Sequence, residues 1–195
     1  MTELQQRLDL LLGRLRSSYD SIGHSSGRPY VYFVYAPDRE KMVFRMVDDA
    51  TSSPVGDLAF IHIDLLQLVM QATAGQEERR EALLDSPDAG RTASSSMMRL
   101  WAREIGKEVS NGLAAASVAG RPVVVFRGLA ALYPVGNPTG LMELLAEHEI
   151  RDPETNRVVP IVVLVPGERP PQTSRAYYFL GRADLQLDFY RGEEA

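Results

Sequence analysis

Cysteine is absent from the 195 residues. That excludes disulfides, a thiol nucleophile and any cysteine-built zinc site. Lysine is nearly absent: Lys41 and Lys107 stand against 19 arginines, so lysine-dependent chemistry has only two candidates. The imbalance reads first as the codon bias of a GC-rich genome. Histidine is confined to His24, His62 and His148, with no metal-ligand spacing among them. No apolar stretch reaches the roughly 18 uninterrupted residues of a spanning helix. The start, Met1-Thr-Glu-Leu-Gln-Gln-Arg, lacks an apolar signal core. The expectation is a soluble, cytoplasmic protein with no membrane partner. Excess positive charge is missing too: the net charge is −5 and the pI near 5.3, which argues against direct nucleic-acid binding.

What is present is ordinary globular composition, 45% apolar and 24% charged, in a length that suits one domain. Leu4, Leu8, Leu11, Leu12 and Leu15 mark one face of a first helix, with Thr2 as its N-cap. Tyr30–Tyr35 is aromatic and β-branched with no polar alternation, the pattern of a strand buried on both faces. Residues 39–50 read as helix, with strand as the alternative because Met42, Phe44 and Met46 alternate; 59–63 read as a second strand, and 65–70 as a helix behind Asp64. Residues 76–84 read as a short helix and 86–95 as a mobile loop, with Ser94-Ser95-Ser96 capping the long helix after it. Met97, Trp101, Ile105, Val109 and Leu113 mark the core-facing seam of that helix, which ends near Gly120. Val123–Phe126 and Val158–Val165 are further buried strands, the latter ended by Pro166-Gly167. Between them, Asn137-Pro138 opens a helix. Residues 177–180 and 185–190 read as final strands at the sheet edge.

Strands alternating with helices predict a single α/β domain over 1–195. Its mostly parallel sheet is covered by helices on both faces, in three layers. In such sheets ligands and partners meet the loops beyond the strand C-termini. Those loops are 36–40, 64–67, 127–137 and 166–176.

The strand order invites comparison with a P-loop NTPase or Rossmann-like domain, in degenerate form. A phosphate loop needs glycine backbone N–H groups and a lysine. The loop Ala36-Pro37-Asp38-Arg39-Glu40-Lys41 has no glycine, and Pro37 removes a donor. After Phe126, Arg127-Gly128 stands where a Mg²⁺-binding acid would be needed. Active ATP hydrolysis is therefore disfavoured, and a nucleotide-binding, hydrolysis-deficient protein is the alternative function. Asp38 and Asp64 are strand-end candidates, and Asp64 reads more readily as a helix N-cap than as a base or ligand. His62, within Phe60-Ile61-His62-Ile63, reads as a satisfied core histidine. Gly136–Gly140 offers only a weak anion signal, and no Gly-x-Ser-x-Gly elbow occurs. Arg169, Arg175 and Arg182 lie near the C-terminal loops, with Arg127 on another strand end, and could meet phosphate or an acidic surface. No catalytic set, metal or cofactor is expected.

Val123-Val-Val-Phe-Arg-Gly-Leu-Ala-Ala-Leu-Tyr-Pro134, a leucine-rich helix, and Val159-Pro-Ile-Val-Val-Leu-Val-Pro-Gly167 together resemble the BrxB family of BREX bacteriophage-exclusion systems. Tyr35-Ala-Pro37 with Glu40, and Ile63-Asp64-Leu65, are similar to that family's Tyr-x-Pro-x-x-Glu and Ile-Asp-Leu stretches. The resemblance spans most of residues 1–190; Leu185–Arg191 is only loosely similar to the family's usual ending. It implies a non-catalytic accessory protein of phage defence, acting with a PglZ protein of the alkaline-phosphatase superfamily and with other BREX components. Arg127, Gly128, Tyr133, Pro134, Gly167, Glu168 and Arg169 are the candidate partner contacts, with Tyr133 and Arg169 as anchors on neighbouring loops.

Overall fold

The computed structural model describes residues 2–22, 27–53, 55–75, 87–147, 149–173 and 175–195, and the backbone alone for 87–91. His24, His148 and the short helix expected over 76–84 lie outside them.

Helix α1 (Glu3–Ser17) starts as its sequence predicts, Thr2 Oγ1 accepting from the Gln5 N–H. Strand β1 (Tyr30–Tyr35) is buried at every residue. A 3₁₀ turn (Pro37–Arg39) leads into α2 (Glu40–Thr51), then β2 (Leu58–Asp64) and α3 (Leu65–Thr73). The long helix α4 (Pro87–Ala119) precedes β3 (Arg121–Arg127), a 3₁₀ turn (Leu129–Leu132) and α5 (Pro138–Ala146). Strands β4 (Ile161–Glu168), β5 (Ala176–Phe179), β6 (Gln186–Asp188) and β7 (Gly192–Glu194) complete the chain.

The main sheet runs β2-β3-β4-β1-β7, every neighbouring pair parallel. Its alternate residues feed two cores. Val31, Phe33, Tyr35, Val123, Val125, Val162 and Leu164 pack under α1 and α2. Tyr32, Val34, Ile61, Ile63, Val124, Phe126 and Val163 pack under α3, α4 and α5. The result is the expected three-layer α/β fold. Chain direction reverses at β1 and β4, since β1 is followed by a crossover towards β2, and β4 by one past β1 to β7.

Five local expectations differ. Residues 87–95 are helical, not a loop, so Ser94–Ser96 lie inside α4 and cap nothing. On the seam of α4 Met97 packs half-buried against the core, and Met98 is the more deeply buried residue ahead of Trp101. A strict four-residue step overshoots the 3.6-residue turn, and a three-residue step restores the face. Strand β4 starts at Ile161, not Val158, and continues through Pro166 and Gly167. Proline is tolerated because only its carbonyl is used, accepting from the Leu180 N–H at 2.8 Å. Finally, β5 and β6 form an antiparallel ribbon off the end of β4, and the true edge beside β1 is the short β7. Among the described residues no helix is long and apolar enough to cross a membrane.

Candidate functional site

The four long parallel strands end on one rim, where the candidate residues converge. After β1, Pro37 opens the 3₁₀ turn and the Arg39 N–H reaches the Ala36 carbonyl at 2.8 Å. The Tyr35 hydroxyl donates to Glu40 Oε1 at 3.1 Å. Burial, with Glu40 beside it, pushes that phenol well above its ordinary pKa, so it remains a donor. The Tyr-x-Pro-x-x-Glu spacing thus has a physical use: its two ends bond across the turn. Asp38, exposed beside Arg39, contributes no further contact than a 3.6 Å ion pair.

At β2 and β3 the register sets Asp64 opposite Arg127. Asp64 Oδ1 accepts from the Gln67 N–H at 3.3 Å, the N-cap role its position predicts. Its other oxygen lies 3.4 Å from Arg127 Nε. The Arg127 guanidinium also donates to both Asp48 oxygens, at 2.9 and 3.1 Å, and lies over the Phe44 ring. His62 joins this cluster. The Thr51 hydroxyl donates its proton to the Val47 carbonyl at 2.6 Å, so it accepts from His62 Nε2 at 2.9 Å. Nδ1 is then the unprotonated nitrogen, 3.8 Å from Asp48 and without a hydrogen bond. His62 is accordingly only half satisfied. Burial is the main cause holding its pKa below the ordinary histidine value; Asp48 opposes this and Arg127 reinforces it. Gly128 follows with φ +72°, a left-handed turn in which a Cβ would sit 3.2 Å from Asp64 Oδ1 and the Leu66 nitrogen.

Beyond Gly128, fully buried Leu129 and Leu132 pin the 3₁₀ turn, and Tyr133, joined to Pro134 by a cis peptide, points outward at 40% exposure. Arg182 meets it from the turn after β5: one guanidinium nitrogen donates to the Tyr133 hydroxyl at 2.8 Å and the group lies over the ring at 5.2 Å. Asp184 holds Arg182 from the other side with two contacts, at 2.7 and 3.1 Å. These partners, Asp184 first, raise the Arg182 pKa, while Arg182 lowers that of Asp184.

Arg169 is engaged elsewhere. Its Nε donates to Glu194 Oε1 at 2.6 Å, the same oxygen that takes Arg7 at 3.1 Å beside β7. Gly167 lets β5 approach, since a Cβ there would lie 2.7 Å from the Tyr178 carbonyl oxygen, and Glu168 pairs with Tyr178 in the same ladder. The two expected anchors, Tyr133 and Arg169, therefore belong to different side-chain networks even though β3 and β4 are neighbours. Arg175 is exposed, its N–H bonded to Thr173 Oγ1. Sequence reasoning grouped Arg182 with the other arginines and missed its partner, because nothing local couples residues 49 positions apart.

No family model, curated protein or solved structure matches this chain.

The rim is thus a surface of preformed pairs. Among the described residues no group of three or more His, Asp or Glu side chains is placed to hold a metal ion. The N-terminal turn of α2 already carries Glu40, the 3₁₀ turn before it carries Asp38, and negative charge there opposes an anion. What the rim offers is one aromatic ring and one guanidinium, stacked and held outward.

Proposed function

We propose that the protein is a non-catalytic interaction module, an accessory component of a BREX-type phage-defence assembly that binds a PglZ-like partner through its strand-end rim. The observation that carries the interaction reading is the Tyr133–Arg182 pair: partly exposed, mutually oriented, and mounted on a turn pinned by Leu129 and Leu132. Tyrosine and arginine dominate interface energies because each brings large contact area with little further ordering to lose. The similarity of Val123–Pro134 and Val159–Gly167 to BrxB stretches supports the defence setting and the choice of partner.

The test is co-purification with a PglZ-type protein. Tyr133→Ala with Arg182→Ala is expected to weaken capture by about 2 kcal/mol or more, with an unchanged melting temperature. Failure to capture any BREX component at micromolar concentration counts against the partner. Capture that survives the double substitution moves the contact off this rim.

One observation favours a second reading, nucleotide binding without hydrolysis: the 36–40 turn lies where chain direction reverses between β1 and β4, the usual ligand position in such sheets. Pro37, Asp38 and Glu40 oppose phosphate there. A melting-temperature rise with millimolar ATP or GTP and Mg²⁺ supports this reading, because saturation at 100 times Kd adds about 2.7 kcal/mol. An unchanged melting temperature removes it.

A further inference from the structure

Away from the rim, α4 and α5 do not close on each other along their whole length. A hollow of about 780 Å³ lies between them, and a second of about 260 Å³ shares Arg99 and Leu144 with it. Together they follow α4 from Ser94 to Leu113, about 29 Å at the helical rise per residue. Gly106 lines the hollow, and a Cβ at that position would meet nothing within 4 Å, so the space beside it is open. Half-buried Leu144 and Ile150 supply an apolar floor, with buried Val109, Leu113 and Leu145 beneath them.

One wall carries the charge. Arg99, Arg103 and Lys107 recur every four residues on α4, all exposed. Arg103 and Lys107 share a single carboxylate, Glu104, and Arg99 has no ion pair among the described residues. This wall is cationic on a chain whose net charge is −5. The facing wall is mixed: Glu147 stands beside Glu149, which is tied to Arg151 at 2.6 Å and Arg191 at 3.6 Å.

We propose that this trough is a docking groove for an amphipathic helix of a partner protein, with the helix's apolar stripe on the floor and an acidic flank against Arg99, Arg103 and Lys107. A trough several helical turns long with an apolar floor fits a helix laid in a groove, with anchors at i, i+3, i+4 and i+7, and not a compact small molecule. Opposite charge along the rim selects the partner and its orientation. The groove is a separate surface from the Tyr133–Arg182 pair and does not depend on it.

The test uses the full chain and two fluorescein-labelled peptides of about 18 residues. They share one leucine stripe and carry either glutamate or lysine on the flanks. Anisotropy is expected to show the glutamate peptide binding at least roughly tenfold tighter than the lysine peptide, and weakening at about 0.5 M salt. The triple variant Arg99→Glu, Arg103→Glu, Lys107→Glu should reverse the preference. Gly106→Trp, which places an indole across the middle of the hollow, should abolish binding at an unchanged melting temperature. If that variant loses stability, the charge-reversal variant alone decides. Equal binding of both peptides, no binding of the glutamate peptide, or binding retained by a stably folded Gly106→Trp overturns the proposal. So does a dimer in sedimentation velocity that Gly106→Trp dissociates, which would give the groove to a second copy of the chain.

Discussion

The two faces of the sheet are covered differently. Helices α3, α4 and α5 cover one, which is uniformly apolar and aromatic where it meets the strands: Tyr32, Tyr177 and Phe189 have ring centroids 5.0–6.1 Å apart, and Phe126, Trp101 and Ile105 are buried beside them. Among the described residues the other face is covered by α1, α2 and the segment carrying Tyr19 and Ile22. Towards β2 and β3 that cover runs thin, and His62, Thr51, Asp48 and Arg127 stand there in place of apolar residues. A face that is fully covered can be dry. One that is partly open needs side chains that tolerate water at one end and packing at the other, as arginine does.

The sharpest test of this contrast is on the dry face. Phe126→Ala, with the ring fully buried, is expected to cost about 3–5 kcal/mol in urea unfolding. A loss below about 1 kcal/mol would mean the face repacks easily and is not tightly filled. At the rim, Asp64→Ala removes the α3 cap and is expected to cost about 1 kcal/mol. If Asp64→Asn retains full stability, the cap bond matters and the Arg127 charge pair does not.

On the thinly covered face the effects shrink. Arg127→Met keeps an apolar stem but loses the charge and the guanidinium over Phe44, leaving Asp48 half exposed to water, so the expected cost is about 0.5–1 kcal/mol. High salt should reduce the difference between the variant and the native chain. A loss as large as that of Phe126→Ala would erase the distinction between the faces. The smallest effect is a pH dependence. Burial holds His62 below the ordinary value of 6.5 in the folded chain, so the unfolded chain takes up its proton first as pH falls. Stability should therefore decline as pH drops through the range just below 6.5, levelling once the folded ring protonates. His62→Gln should remove that component, read as melting temperature against pH. An unchanged profile would show that the ring titrates as in water.

Much of the architecture was legible because its signals are local. The unbroken apolar runs of β1, β3 and β4 announced two-sided burial, and two-sided burial implies a parallel sheet between helix layers. In β2, Ile61-His62-Ile63 alternates, and the structure alternates burial there too. Read as a satisfied core position, His62 did not reveal the thinner face, which depends on how α2 lies over β2. Asp64 and Asn137 were readable as caps, since an N-cap bonds within three residues of itself. The candidate rim was legible as a set of loops and not as a set of contacts. Arg169 and Arg182 looked equivalent in sequence, yet one reaches Glu194 and the other Tyr133 and Asp184.

By itself, the sequence determined the central buried strands, most of the amphipathic helices, the caps of α1, α3 and α5, and that thiol chemistry is excluded. These rest on side-chain periodicity and on backbone preferences that act over a few residues. Only the tertiary structure decided that β7 pairs with β1, that β4 runs on through Pro166 and Gly167 to meet β5, that α4 reaches back to Pro87, and that a trough lies beside α5 with Gly106 in its lining. Each depends on which surfaces meet across long stretches of chain. A short strand such as Gly192–Glu194 has little intrinsic preference and forms because the β1 edge offers it unpaired backbone groups. A hollow is likewise no property of a glycine alone: it exists where neighbouring helices, held apart by everything else they touch, leave space between them.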